Sequence, residues 1–313
     1  MTRRSIFAAF ALSCALAASP PAALAFLIPV HLLTWGTAGT GPGQFDIPVG
    51  VAVAPNGDLY TVETQNSRVQ HFTPYGGFVA MWGAYGTGPG QLKWPAGIAI
   101  DETGFVYVAD NLNQRVQKYT ADGVLVASFS SGYVTGIAAG FGRVFACAPG
   151  ALAVKVWTSA GAALPPIVPP RASAPDGAAL DASGNLFVVD AGSKHVWKYS
   201  PTGTLLADWG SVGAGEGQFN YPVRAATDPQ GNVYVVDHGT HRVEVFTNDG
   251  AFLGQWGSAG SGPGQFLNPI GIAIDRDGSV YVCDTNNQRM QKFGSLPVAT
   301  NTTSWGRLKA LYR

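Results

Sequence analysis

The chain has 313 residues, of which 46% are hydrophobic, only 12% are charged and 41 are glycine. It is long enough to bury a large core, and the low charged fraction predicts a surface of mainly neutral polar groups. Lysine plus arginine equals aspartate plus glutamate at 19 each. Because nucleic-acid binding needs a basic excess, we expect no nucleic-acid partner.

The N-terminus has the three parts of a secretory signal peptide. Arg3 and Arg4 precede an apolar run over residues 6–18 and a small-residue cleavage site at 23–25. Residues 1–25 are therefore predicted to be removed, which makes the protein periplasmic or secreted. A lipoprotein alternative at Cys14 lacks the usual leucine three residues earlier. No later segment has the length and apolarity of a membrane helix, so we expect no transmembrane segment in the mature chain.

A repeated unit follows. Trp-Gly pairs recur at 35–36, 82–83, 209–210 and 256–257. Each pair opens a glycine-rich connector, after which come a short apolar strand, an Asp-x-x-Gly turn and a second strand that is apolar at consecutive positions. A third strand begins with arginine and a fourth ends in the next tryptophan. Four short strands per unit predict a β-propeller blade, and two degenerate units, around residues 136–161 and 177–203, bring the count to six.

The units resemble NHL repeats, as seen in Gly97-Ile98-Ala99-Ile100-Asp101, in Val106-Tyr107-Val108-Ala109-Asp110 and in residues 113–119. The resemblance implies an all-β, six-bladed propeller over residues 26–295, with the first strand of each unit beside a central channel. Blade six has three strands by Phe293, so we predict that residues 31–35 supply its fourth and close the ring. Residues 296–313 leave the pattern and are predicted to be a flexible tail.

Two cysteines remain after the predicted cleavage, Cys147 and Cys283. The resemblance places them on the second strands of blades three and six, which face each other across the ring. That separation exceeds the roughly 7 Å between Cα atoms that a disulfide allows. We therefore expect two buried free thiols.

The candidate ligand site comes from departures from the repeat. The third connector, between Phe129 and Gly136, is eight residues shorter than the intact ones, and the fourth, assigned to residues 165–171, is short and proline-rich. They predict a notch on the connector face over blades three and four. Charged residues at axial positions are Asp176 and Arg224, and Arg224 replaces the glycine of the other units. The candidate ligand-binding residues are Arg224, Asp176, Arg171, Tyr133 and His195. In the alternative interpretation, Asp176 and Arg224 only bridge two blades.

No metal or cofactor is predicted, and catalytic residues stay unknown because no nucleophile elbow or His-Glu metal motif is present. An amidating lyase of NHL kinship holds zinc through channel histidines, but the matching positions here carry no histidine. They are Val49, Ala96, Thr135, Asp176, Val223 and Ile270. The remaining metal-ligand candidates are His195, His238 and His241, which the repeat places on loops of blades four and five.

The sequence thus favours an exported, monomeric binding or scaffold module for an unidentified protein or small-molecule ligand. It favours a non-enzymatic role over an enzymatic one. A fold does not fix a function, so two alternatives stay open. One is a lyase or hydrolase with a site at the channel mouth. The other is a surface-displayed or adhesion component that is attached through the C-terminal tail.

Overall fold

The computed structural model describes residues 27–294 as six four-stranded antiparallel sheets. Blade one is β2 (Pro48–Val53), β3 (Leu59–Glu63), β4 (Arg68–Phe72) and β5 (Phe78–Trp82). Blade two is β6 (Pro95–Ile100), β7 (Val106–Asp110), β8 (Arg115–Tyr119) and β9 (Leu125–Ser130). Blade three is β10 (Ile137–Gly140), β11 (Arg143–Ala148), β12 (Ala153–Thr158) and β13 (Ala163–Ile167).

Blade four is β14 (Pro175–Leu180), β15 (Leu186–Asp190), β16 (His195–Tyr199) and β17 (Leu205–Trp209). Blade five is β18 (Pro222–Thr227), β19 (Val233–Asp237), β20 (Arg242–Phe246) and β21 (Phe252–Trp256). Blade six is β22 (Ile272–Ile274), β23 (Val280–Asp284), β24 (Arg289–Gly294) and β1 (Val30–Trp35). Three short 3-10 turns lie at Asn111–Asn113, Pro149–Ala151 and Thr285–Asn287.

The first strands of successive blades contact one another in cyclic order, so the sheets form a closed ring. Both faces of each sheet are covered by its neighbours. The second strands are therefore buried at consecutive residues, as in β7 and β19. The hydrophobic clusters lie between neighbouring blades, which distributes the core around the ring.

The predicted ring closure is confirmed. Strand β1 pairs antiparallel with β24, with Trp35 opposite Met290 and His31 opposite Phe293. The predicted thiols are also found: Cys147 on β11 and Cys283 on β23 are both buried and free. Burial raises the pKa of both thiols far above its ordinary value, so neither is a ready nucleophile.

One sequence assignment is wrong. Residues 165–167 were expected in the fourth connector, but they belong to β13, the outer strand of blade three. An outer strand tolerates Pro165 and Pro166 because its free edge needs no N–H donors. The fourth connector is therefore residues 168–174, and it is still short.

The predicted signal peptide and C-terminal tail lie outside the described residues. Within 27–294, no helix has the length and apolarity needed to cross a membrane.

Candidate functional site

The arginine that opens the third strand holds the glycine-rich connector of its own blade. In blade one, Arg68 Nη2 donates to the backbone oxygens of Gly41 and Gln44 at 3.1 and 2.7 Å, and Nη1 donates to that of Thr40. Arg68 Nε is paired with the fully buried Glu63 at 2.6 Å. Arg115, Arg242 and Arg289 bind the connectors of blades two, five and six in the same way. We call this arrangement the arginine clamp.

Two further side chains of the repeat complete the clamp. The Gln70 side chain accepts from Gly43 N at 2.9 Å and donates to Gln44 O at 2.8 Å. Asn66 Nδ2 donates to Gly39 O at 3.0 Å. The arginine, glutamine and asparagine side chains of the repeat thus hydrogen-bond to the backbone of the connector. Without them, carbonyl groups of the connector would be unpaired.

Blades three and four lack the clamp. Register places Ala153 and His195 at the arginine position, since each lies opposite the last residue of the second strand, as Arg115 does. These are also the two blades with shortened connectors. The arginine is therefore absent from the same two blades in which the connector is shortened.

The short third connector leaves a trough on the outer part of blade three. Its volume is about 440 Å³, and it is lined by Ser130, Ala151, Ala153, Lys155, Val156, Trp157, Ala163, Leu164, Pro166 and Val168. Lys155 occupies the register position of Gln117 and donates from Nζ to Ser131 O at 2.7 Å. We call this trough the notch. It lies over blade three, one of the two blades over which the connector lengths predict a notch.

The two axial charges form an ion pair between neighbouring blades four and five, and the arginine also reaches across the channel. Arg224 Nη1 lies 2.9 Å from Asp176 Oδ1, and Nη2 donates to Ala96 O at 3.0 Å. Because Ala96 belongs to blade two, opposite blade five, the side chain spans the channel. A cavity of only about 40 Å³ remains there. The geometry agrees with the bridging alternative, and ligand binding by this pair stays a prediction.

Blades three and four carry glycine at the first-strand position that Arg224 occupies in blade five, and the reason is steric. A Cβ on Gly136 would lie 2.2 Å from Asp176 O, and one on Gly177 would lie 2.4 Å from Val223 O. Neighbouring first strands therefore approach too closely for a side chain at these two positions. Blade five departs from this rule and sends its side chain into the channel.

The other three predicted ligand-binding residues do not join this pair. Arg171 is largely exposed and pairs with Asp208 on the outer strand of blade four at 2.9 Å. Tyr133 is exposed beside the third connector. His195 is half-buried, and its Nδ1 lies 2.8 Å from Ser193 O. Within residues 27–294, no hydrogen bond or ion pair connects any of the three to Asp176 or Arg224.

Two of the predicted histidines meet at Asn268. Its backbone N–H donates to His241 Nδ1 at 3.0 Å, and its side-chain nitrogen lies 2.9 Å from His238 Nε2. Burial lowers the pKa of His238, which favours the neutral ring that can accept from the Asn268 side chain. His195 lies on another blade. In the described part of the chain, no three His, Cys, Asp or Glu side chains are placed to hold a metal ion.

Blade five has an acid where three other blades have glutamine. Glu244 is fully buried, accepts from Gly217 N at 2.9 Å and pairs with Arg242 at 2.7 Å. Desolvation raises the pKa of Glu244 to about 7, against the opposing effect of Arg242. The folded protein therefore binds this proton more tightly than the unfolded chain does.

This raised pKa gives a first prediction. Between the ordinary value of 4.5 and about 7, the folded state holds the extra proton, so the contribution of Glu244 to stability falls as the pH rises through this window. The loss amounts to at most about 3 kcal/mol. E244Q should remove it, so urea unfolding at pH 5 and pH 8 should show a smaller difference for E244Q than for the parent. The exposed Glu216→Gln is the control, and an equal pH dependence in E244Q would refute the assignment.

The NHL repeat profile matches residues 45–72, 92–119, 219–246 and 266–293. These are the four blades that carry the arginine clamp, and each match runs from the end of a connector to the end of the third strand. The chain is an NHL-repeat β-propeller. Comparison with curated proteins finds no match to it.

Solved structures share the propeller fold. A streptogramin B lyase is 16% identical with a TM-score of 0.60, covering 86% of this chain and 97% of that one. A catalytically inactive virginiamycin B lyase from Staphylococcus aureus with quinupristin is 14% identical with a TM-score of 0.61, covering 86% and 99%. A chain of a nidogen/laminin complex is 18% identical with a TM-score of 0.56, covering 68% and 81%. At these identities the similarity establishes the fold alone.

The NHL propeller also carries an exposed apolar rim, of which the sequence analysis singled out Tyr133 and missed Trp94 and Leu112. Trp94 is 49% exposed, Leu112 40% and Tyr133 57%. Leu112 N donates to Lys93 O, and Gly132 N donates to Gln114 O, so the three side chains follow one strip from blade two to the third connector. The only sequence signal was that Trp94 directly precedes the proline of its connector, where Ile47 and Asn268 lie in other blades.

Proposed function

We propose that this NHL propeller is a non-catalytic binding module that holds a loop segment of a protein partner in the notch over blade three. The observation that carries this proposal is that a polypeptide segment fills the equivalent position in four other blades. There, blades one, two, five and six each bind a loop of polypeptide, their own connector, which in blade one turns back on itself through hydrogen bonds between Thr37, Gly39 and Phe45. In blade three the equivalent trough is left uncovered, because the connector is short.

The contacts of the regular blades indicate what such a segment needs. An apolar residue of each connector is buried against the third strand, as Phe45 is against Phe72 with ring centroids 5.7 Å apart. The notch offers Trp157 at the register position of Phe72 and Tyr119. Lys155 Nζ can donate to a backbone carbonyl, as Gln117 does to Gln91 O. The exposed rim of Trp94, Leu112 and Tyr133 extends the apolar surface beyond the notch.

Export is part of the proposal, since the N-terminal segment predicts it. An envelope or extracellular binding module would meet its partner there. None of the five residues singled out from the sequence lines the notch, and Asp176 and Arg224 lie together at the channel.

A selection from a random peptide library displayed on phage tests the proposal. Selected peptides should carry an aromatic or aliphatic anchor and should lose at least about tenfold in affinity for Ala151→Trp, because a large side chain there fills the notch. Ala121→Trp is the matched control, since Ala121 is also exposed but lies on a turn of the opposite face. Peptides that bind both variants equally would contradict the proposal.

A second candidate is a lyase with its site at the channel mouth. The placement of Asp176, Arg224 and His238 around the mouth favours it, and a streptogramin B lyase shares the propeller fold over 86% of this chain. Incubation with quinupristin, followed by mass spectrometry, separates the two candidates. The binding proposal predicts unchanged quinupristin, and a product that is lost in Arg224→Gly would favour the lyase.

A further inference from the structure

Four of the six blade interfaces are closed by a tryptophan from an outer strand. The ring of Trp82 lies 5.8 Å from that of Tyr60 in its own blade and 6.1 Å from that of Tyr119 in the next blade. Trp35, Trp209 and Trp256 lie between equivalent pairs of rings. Each tryptophan therefore fills an aromatic slot between two sheets.

A turn glycine of the next blade forms one wall of this slot. A Cβ on Gly123 would lie 2.5 Å from the Trp82 ring, and one on Gly250 would lie 2.7 Å from the Trp209 ring. At the interface of blades two and three, Phe129 takes the place of tryptophan, and a Cβ on Gly161 would lie 3.0 Å from its ring. Glycine is needed at this turn because an aromatic ring lies against it.

The interface of blades three and four keeps the slot but lacks the ring. Ile167 pairs with Val154 in the register in which Trp82 pairs with Val69, so Ile167 occupies the tryptophan position. The turn glycine, Gly203, has the usual positive φ of 86°. No heavy atom outside its chain neighbours lies within 4 Å of a Cβ placed on it.

The result is a cavity of about 230 Å³ between the two sheets. Its apolar walls include Phe145, Leu164, Ile167 and Leu186, and the turn at 200–203 forms its edge. An apolar cavity of about 150 Å³ inside a protein is large enough to bind benzene. The slot between blades three and four therefore has room for a planar aromatic ring.

We propose that this slot binds a small planar aromatic molecule of indole size. The ring enters between blades three and four, contacts Phe145 and Leu186 on the two sheets and lies against Gly203, as the tryptophans do in the other slots. The slot faces blade four and the notch faces blade two, and the two share Val156 and Leu164 as lining residues. The proposal does not depend on the proposed peptide partner.

Calorimetric titration of the full mature chain with indole tests this inference. The parent should bind indole, and Ile167→Trp should weaken binding by about tenfold or more, since its own indole fills the slot. The same substitution should raise the Tm by about 2–4 °C through better packing. Ile167→Val, which leaves the slot open, is the matched control and should bind as the parent does.

Failure of the parent to bind indole, or equal binding by parent and Ile167→Trp, would overturn the inference. If Ile167→Trp does not fold, Leu164→Phe fills the slot from the same strand and should give the same loss. Trp305, which lies outside the described residues, is an alternative occupant from this chain. Binding that is seen in Trp305→Ala but not in the parent would also contradict the inference, because the chain itself would then fill the slot.

Discussion

Removal of strand β1 is expected to lower the Tm of the propeller by at least about 10 °C. Strand β1 supplies the only hydrogen-bonded neighbour on the outer edge of β24 within the described residues. Its Trp35 lies between Tyr281 of blade six and Phe72 of blade one, with ring centroids 6.4 and 6.3 Å away. A chain that starts at Gly36 therefore loses the ring closure and the aromatic contact between the first and last blades.

The comparison is between chains that start at Phe26, Val30 and Gly36. Thermal unfolding followed by circular dichroism should give nearly equal Tm values for the first two, because residues 27–29 precede the strand. Only the third should melt early. If the chain from Gly36 melts within about 2 °C of the others, the ring is not held closed by β1.

The second large effect is expected at the arginine clamp. Arg68→Ala should lower the free energy of unfolding by about 3–5 kcal/mol, because it leaves the fully buried Glu63 without its charge partner. It also removes the donor to Gly41 O and Gln44 O, so the first connector should become sensitive to proteases. Arg68→Lys should restore little, since one ammonium group cannot replace the guanidinium fork.

Urea unfolding gives the free energy, and limited proteolysis with mass mapping gives the site of cleavage. The exposed Arg276→Ala, on a turn of blade six, is the control and should change stability by less than about 0.5 kcal/mol. A loss below about 1 kcal/mol in Arg68→Ala would mean that the clamp does not stabilise the blade.

The fold could be predicted because its signals are local and repeated. The turn glycines, the consecutive apolar residues of the second strands and the spacing of the tryptophans each fix one part of a blade, and four clear copies fix the ring. The position of β1 followed from the same spacing. Pro165 and Pro166 were misplaced because proline is a connector signal in general, whereas here they lie on a strand edge that needs no donors.

The candidate site could be predicted only in part. The connector lengths predict a notch over blades three and four, whereas the trough lies over blade three alone, and the missing glycine singled out Arg224. The direction of long side chains depends on neighbours that are distant in sequence, so neither the reach of Arg224 to Ala96 O nor the pairing of Arg171 with Asp208 could be derived. The open slot at Gly203 requires knowledge of which ring each turn glycine faces, and only the assembled ring of blades supplies it.

Hydrogen–deuterium exchange with a selected peptide bound tests the central claim most directly. If the notch receives the segment, protection should appear in residues 131–136 and 151–158, and the channel-lining strand β18 should exchange as in the free protein. Protection confined to the channel mouth around Asp176 and Arg224, with none in blade three, would contradict the proposal that the uncovered trough is the binding site.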